Sequence, residues 1–254
     1  MLPRIFDLSG KVALVTGGNK GLGLAMSRGL AEAGADVFIA SRHADQLEAA
    51  LGQILEGTGR KGGFAVCDVA DRAQVSALAK TAIERMGKID ILVNNAGMNA
   101  PQAIDEITDE VWDRLLEVNL SSVMALTRAV VPGMKERRWG RVIHISSIFG
   151  QVSKERRNAY SATKTALVGL AHASALDLGP YNVTVNCIGP GPFMTDMPMS
   201  VLSDPEKKAF ADRTALGRWG DPKELVGPCL LLASDAGSYI TGQTLFVDGG
   251  YLSR

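Results

Sequence analysis

Tyr160 and Lys164 stand four positions apart in the run YSATK, and Ser147 precedes the tyrosine by thirteen positions. On a helix that spacing puts the phenol and the ammonium on one face, one turn apart. A phenol titrates near pH 10 and is a poor base at neutral pH. Nearby cations favour the phenolate, and a drop of about three units needs roughly 4 kcal/mol of differential interaction, which two cations in a partly desolvated cleft supply. Such a pair is equipped to exchange a proton with a reacting oxygen. Ser147 ends the apolar run RVIHISS, where its hydroxyl is placed to hydrogen-bond that oxygen as it becomes alkoxide-like. Ser146, its neighbour, points to the other side of an extended strand. Asn119 is a poor helix former inside a helical stretch. It predicts a local opening of the helix that holds a water in a proton relay from Lys164; the alternative is an exposed helix residue.

A second cluster speaks for a nucleotide. TGGNKGLG places Gly17, Gly21 and Gly23 between an apolar run and a helix, so the backbone turns sharply and the helix N terminus faces an anion such as a pyrophosphate. The end of the next strand distinguishes the two nicotinamide cofactors, since an acid there binds a ribose 2′-hydroxyl and a cation accepts a 2′-phosphate. The residues are Ala40, Ser41 and Arg42, with no acid, and Lys20 of the glycine loop can reach the same phosphate. NADP(H) is therefore preferred over NAD(H), which stays possible; the competing reading makes Arg42 and Lys20 solvated surface cations. Asp68 is placed to accept from an adenine amino group or, alternatively, to share a helix-capping role with Asp71. NNAG (94–97) reads as a loop leaving the sheet into the same crevice, or as a plain turn.

The elements that gather these residues follow from periodicity. Apolar runs at 11–17, 35–41, 62–69, 90–97, 141–147, 183–189 and 244–250 read as strands, separated by helical segments at 21–33, from 44, 71–86, 109–137, 158–178 and 222–234. Strands without polar alternation are buried on both faces, as a parallel sheet sandwiched by helices requires. The pattern predicts one doubly wound α/β domain with seven parallel strands. The run 189–222, with five prolines and three methionines, reads as a movable substrate lid over the cleft.

Bulk properties set limits. The 254 residues carry 27 basic and 27 acidic side chains and 46% hydrophobic residues, so no excess charge points to nucleic acid or an anionic membrane. The N-terminal apolar run is too short for a signal sequence or a membrane span. Cys67, Cys187 and Cys229 sit in apolar sequence and read as buried free thiols in a reducing cytoplasm. Three histidines, none at ligand spacing, argue against a metal site.

In order and spacing, TGGNKGLG, Asp68, NNAG, Asn119, Ser147, YSATK and the GPG…T run at 189–195 resemble the motif set of the short-chain dehydrogenase/reductase family over essentially the whole chain. The resemblance implies a single-domain Rossmann fold, a homotetramer, and reversible hydride transfer between a nicotinamide and a carbonyl or secondary alcohol. It implies Tyr160 as acid/base, Ser147 for substrate orientation, Lys164 for ribose binding and pKa lowering, and Asn119 for proton relay. The cofactor set it implies is Gly17, Asn19, Lys20, Gly21, Leu22, Gly23, Ser41, Arg42, Asp68, Val69, Asn95, Ala96, Gly97, Tyr160, Lys164, Pro190 and Gly191, with Ile188 offering backbone groups to the carboxamide and Thr195 contacting the nicotinamide side. Pro192 departs from the usual pattern, in which a residue with a free N–H follows Gly191.

Between Ser147 and Tyr160, Lys154, Arg156 and Arg157 are placed to hold the carboxylate of a sugar acid, or form a solvated loop. The C-terminal third resembles the gluconate 5-dehydrogenase and 2-deoxy-gluconate 3-dehydrogenase branch. A 3-oxoacyl-carrier-protein reductase is the alternative, and Lys135, Arg137, Arg138 and Arg141 are its candidate surface for an acidic carrier, unless they are simply helix-end cations. A non-catalytic nucleotide sensor would be expected to have lost Tyr160 or Lys164.

Overall fold

The computed structural model describes residues 4–195, 199–200 and 202–253. Its apolar runs pair as β1 (Val12–Thr16), β2 (Asp36–Ser41), β3 (Gly62–Val66), β4 (Ile91–Asn94), β5 (Gly140–Ile145), β6 (Val183–Pro190) and β7 (Thr244–Val247). All neighbours are parallel, in the order β3-β2-β1-β4-β5-β6-β7. The order reverses between β1 and β4, which opens a crevice at the strands' C-terminal ends.

Alternate residues of each strand feed two cores. Val12, Leu14, Leu92 and Val142 face a layer formed by α3 (Arg72–Met86), α5 (Ser122–Arg137) and α6 (Asn158–Leu178). Ala13, Val15, Ile91 and Ile143 face α1 (Gly21–Glu32), α2 (Ala44–Leu55) and α8 (Val226–Ala233). Burying a side chain such as Leu14, fully shielded here, contributes about 1.5–3 kcal/mol. The helices start and stop where their ends demand. The Asp71 side chain accepts from the Ala73 and Gln74 amides at 2.9 and 3.2 Å, and α3 ends on Gly87 at φ +81°, satisfying orphan groups at both ends.

Two sequence readings need correction. The strands ending at 17, 69 and 97 stop at Thr16, Val66 and Asn94, and the residues beyond them line the cleft. The backbone leaves the ladder before the apolar pattern ends. The helical stretch 109–137 is also not continuous. α4 (Asp109–Leu116) passes through a π-helical turn, Glu117–Ser121, into α5, which is the opening that Asn119 signalled. By length and composition this stretch could cross a membrane. In the fold its apolar side, with Val118, Val123, Leu126, Val130 and Met134, is buried in the core.

Within 189–222, α7 (Asp204–Arg213) is a helix the sequence reading left as a lid without secondary structure. Its signal is a Ser203/Glu206 capping pair, with the Glu206 carboxylate accepting from the Ser203 amide at 2.9 Å and hydroxyl at 2.7 Å. Residues 196–198 and 201 of that run lie outside the described ones.

Candidate active site

The glycine turn is built around a close approach. Gly17 adopts φ +65°, and a Cβ on Gly23 would sit 2.1 Å from the Gly17 carbonyl oxygen. No residue with a side chain fits there. Asn95 clamps the turn to the neighbouring strand, because its side-chain amide donates to the Thr16 and Gly17 carbonyls at 2.9 and 3.2 Å, while the Thr16 hydroxyl accepts from the Asn95 and Ala96 amides at 3.0 Å each. No side chain caps the start of α1, whose N terminus faces the cleft. A narrow, amide-lined turn of this kind fits the pyrophosphate of a dinucleotide.

Along the crevice from this turn, Arg42 projects from the end of β2, and Ser41 behind it accepts from the His43 amide at 3.2 Å. Asn19 donates to Gln46 at 2.7 Å, fixing the loop's outer edge. Burial opposes ionisation of Asp68, but the Ala70 amide and the Arg114 guanidinium, at 3.0 and 2.9 Å, hold its carboxyl below the usual range. The cap of α3 is Asp71 alone, and Asp68, accepting from Ala70 in the turn before it, faces the cleft.

The proton-handling residues meet at the other end. Tyr160 and Lys164 share a face of α6 as their spacing requires, with the Lys164 ammonium 5.6 Å from the ring centre. Lys164 is 4% exposed and donates to the Ile145 carbonyl at 2.8 Å. Burial in a weakly polar environment pushes its amine down to about 8. Ser147 interacts with the Tyr160 hydroxyl and accepts from the Phe149 amide at 3.1 Å. Ser146, pointing the other way, donates to the Lys164 carbonyl at 2.9 Å and so ties α6 to β5. Asn119 is 1% exposed, which removes the exposed-residue alternative. Its amide brackets Met98, accepting from the Met98 N–H and donating to the Met98 carbonyl at 2.9 Å each, and also donates to Thr163 at 3.2 Å.

One electrostatic expectation is corrected. The Tyr160 phenol lies above its ordinary value, because burial outweighs the opposing Ser147 hydrogen bond and the charge of Arg157. Lys164 donates to the Ile145 carbonyl and does not bring the phenol back down, since burial is the larger influence.

These residues share one cleft of about 500 Å³, a volume suited to small ligands. Its walls hold Ser147, Tyr160, Lys164 and the sequence-predicted cofactor residues, with the exception of Ile188. Ile188 is fully buried in β6 and its carbonyl accepts from the Ser146 amide at 2.7 Å, so the wall there is Pro190 and Gly191. Thr195 crosses to the glycine turn, where a Cβ on Gly21 would lie 3.3 Å from its methyl group. Pro192, the departure from the family pattern, uses its carbonyl to accept from the Gly220 amide at 2.9 Å, and the neighbouring Phe193 pairs with Gly220. Sequence reasoning missed Phe149, Phe210 and Trp219, which also line the cleft. Phe210 and Trp219 meet edge-on at 5.6 Å, and two aromatics nine residues apart in the second half of the 189–222 run are the signal that marks them.

Residues 17–252 match the family described as enoyl-(acyl carrier protein) reductase. Gluconate 5-dehydrogenase of Gluconobacter oxydans is 39% identical over 254 residues, covering 98% of this chain and 97% of the relative. A 3-oxoacyl-[acyl-carrier-protein] reductase of Chlamydia trachomatis is 38% identical, covering 96% and 98%. The solved structure of a gluconate 5-dehydrogenase from Burkholderia cenocepacia, in complex with NADP and tartrate, superimposes with a TM-score of 0.92 at 38% identity over 98% of each chain. With this likeness running the full length of the sheet and cleft just described, the chain belongs to the short-chain dehydrogenase/reductase family and is an NAD(P)-dependent oxidoreductase acting on CH–OH groups.

Proposed function

We propose that this enzyme transfers hydride reversibly between NADP(H) and a sugar acid carrying a carbonyl or secondary alcohol, in the manner of a gluconate 5-dehydrogenase. The observation that carries the reading is the gathering of Ser147, Tyr160 and Lys164 in the cleft that also holds the glycine turn and Arg42. The bound nicotinamide supplies or accepts the hydride. Tyr160 gives its proton to the carbonyl oxygen in reduction and takes it back in oxidation. Ser147 donates to the same oxygen and fixes its position. Lys164 holds the ribose and, when charged, favours the phenolate. Asn119, locked to Met98 in the π turn, keeps a water in line for the proton's exit past Lys164. Thr195 and the rest of 189–222 act as the lid.

The gluconate reading is preferred to the acyl-carrier alternative because the basic patch that alternative needs is dispersed. Arg141 is 1% exposed, Arg137 pairs with Asp90 at 3.3 Å, and Lys135 lies over the Tyr181 ring at 4.2 Å. Assembly as a homotetramer belongs to the same proposal, and Leu176 on α6, 80% exposed, supplies apolar surface for it. The three buried free thiols fit a cytoplasmic setting.

A screen of sugar acids, polyols and 3-oxoacyl thioesters, each with NADPH or NADP⁺ and with NADH or NAD⁺, tests this reading through the absorbance band that the reduced nicotinamide gains or loses. Turnover of a sugar acid with NADP⁺ is the expected result, and turnover of thioesters alone would reverse the substrate assignment. Arg42→Ser should raise the KM for NADPH about tenfold, the worth of one charge-assisted hydrogen bond, and leave that for NADH unchanged. An equal effect on both cofactors would remove Arg42 from the 2′-phosphate site.

A further inference from the structure

The three cations before Tyr160 have separate fates. Lys154 lies over the Phe210 ring at 5.1 Å, and Arg156 pairs with Glu106 at 2.9 Å near the surface. Arg157 turns into the cleft. The reversal comes from Arg156, held at φ +64°, a backbone conformation that a side chain other than glycine's adopts only at a cost. The turn is secured on its other side by the Gln102 amide, which donates to the Arg156 carbonyl at 3.0 Å, and by Asn158, which donates to the Gln102 carbonyl at 3.1 Å.

Arg157 then presents two buried nitrogens, Nε and Nη1, with no hydrogen-bond partner among the described residues. The acid whose charge acts on it, Glu206, is occupied by the Ser203 amide and hydroxyl. A buried guanidinium with N–H groups lacking an acceptor calls for an anionic acceptor, and a carboxylate is the common one. Asn99 lines the same cleft with a buried side-chain oxygen that also has no partner among the described residues, an acceptor suited to a hydroxyl. Buried polar groups are seldom left unpaired unless a ligand completes them.

We infer that Arg157 is the substrate's carboxylate-binding residue, taking a hydroxy acid whose anionic end is received by the Arg157 guanidinium and whose neighbouring hydroxyl reaches Asn99. This rests on the proposed hydride transfer to a sugar acid and adds the residue that selects the acid. A 3-oxoacyl thioester has no carboxylate and would leave these N–H groups unpaired.

Tartrate and threitol share a four-carbon diol and differ in their ends, two carboxylates against two neutral alcohols, so binding separates charge recognition from shape. The measurement is calorimetric titration of the NADP⁺-loaded enzyme with each. The wild type should bind tartrate at least about tenfold more tightly than threitol, the worth of one charge-assisted pair. Arg157→Gln should lose that preference with the NADP⁺ affinity unchanged. Arg157→Lys, which keeps the charge but not the planar guanidinium, should retain an intermediate preference and serves if the glutamine variant fails to fold. Equal binding of tartrate and threitol by the wild type, or an undiminished preference in both variants, would overturn the assignment. Neither result touches the hydride-transfer reading, which depends on turnover and on Tyr160.

Discussion

Replacing Tyr160 by Phe should lower kcat at least about a thousandfold while NADPH still binds with an affinity within about twofold of the wild type. Positioned acid/base groups contribute 10²- to 10⁴-fold as a rule, and here the loss lies toward the upper end because Ser147 can orient the oxygen but has no proton of suitable acidity to give. The ring keeps its place, since its edge-on contact with Phe149 at 6.4 Å involves no hydroxyl. Fluorescence titration with NADPH and single-turnover absorbance together check the result; turnover at the wild-type rate would end the assignment of Tyr160. The pH dependence has a defined sign. Burial raises the phenol, so the phenolate needed to accept a proton becomes more populated as pH rises, and the alcohol-oxidising rate climbs with it. Carbonyl reduction needs the protonated phenol and declines over the same range. Lys164, pushed down to about 8, sheds its charge as pH rises through that value and takes its support of the phenolate with it, which flattens the alkaline gain in oxidation.

Gly23→Ala should be the most damaging change on the cofactor side. Its methyl group would stand 2.1 Å from the Gly17 oxygen and 2.6 Å from the Asn95 amide nitrogen, and neither is the free end of a flexible chain. The Asn95 side chain would have to release the Thr16 and Gly17 carbonyls, so the glycine turn and the NNAG loop would both shift. NADPH affinity should fall about a hundredfold, roughly 2.7 kcal/mol, and overpacking of this kind costs about 1–3 kcal/mol of stability. Gly52→Ala is the matched control. That glycine lies on α2 with open space around its would-be Cβ, and alanine there should stabilise by up to about 1 kcal/mol with cofactor binding intact. Paired thermal melts and NADPH titrations check both, and an unperturbed Gly23→Ala enzyme would contradict the close approach.

Much of this site is legible in the sequence because its main spacing is helical. The run 158–178 carries its own period and folds with those bounds, so the side-by-side arrangement of Tyr160 and Lys164 follows from counting. The strand ends are less legible. Val69 and Ala96 are as apolar as the strands before them, and apolar character does not say where a backbone stops pairing and starts to line a cleft. Arg156 and Arg157 are alike as letters, and the φ of one residue sends the first to Glu106 and the second inward. No pattern of residue types encodes that sign. Lys164 is a different case. Its position was readable, but its electrostatic state was not, because the burial that lowers it comes from packing against β5, whose Ile145 carbonyl accepts its hydrogen bond from about twenty residues earlier in the chain.

The π turn at Glu117–Ser121 behaves as a spare residue wound into a helix. Removing one residue there would let α4 and α5 join as a regular helix with better internal hydrogen bonds, and because the wide turn absorbs that one residue, the helix on either side would keep its facing. Thr127 would still accept from Asn94 at 3.2 Å, but Asn119 would lose its hold on Met98. The more regular helix would be the wrong one. Insertions and deletions in this stretch are therefore constrained in length as strictly as the catalytic positions are in identity, although a sequence count alone would treat one missing residue as a minor gap.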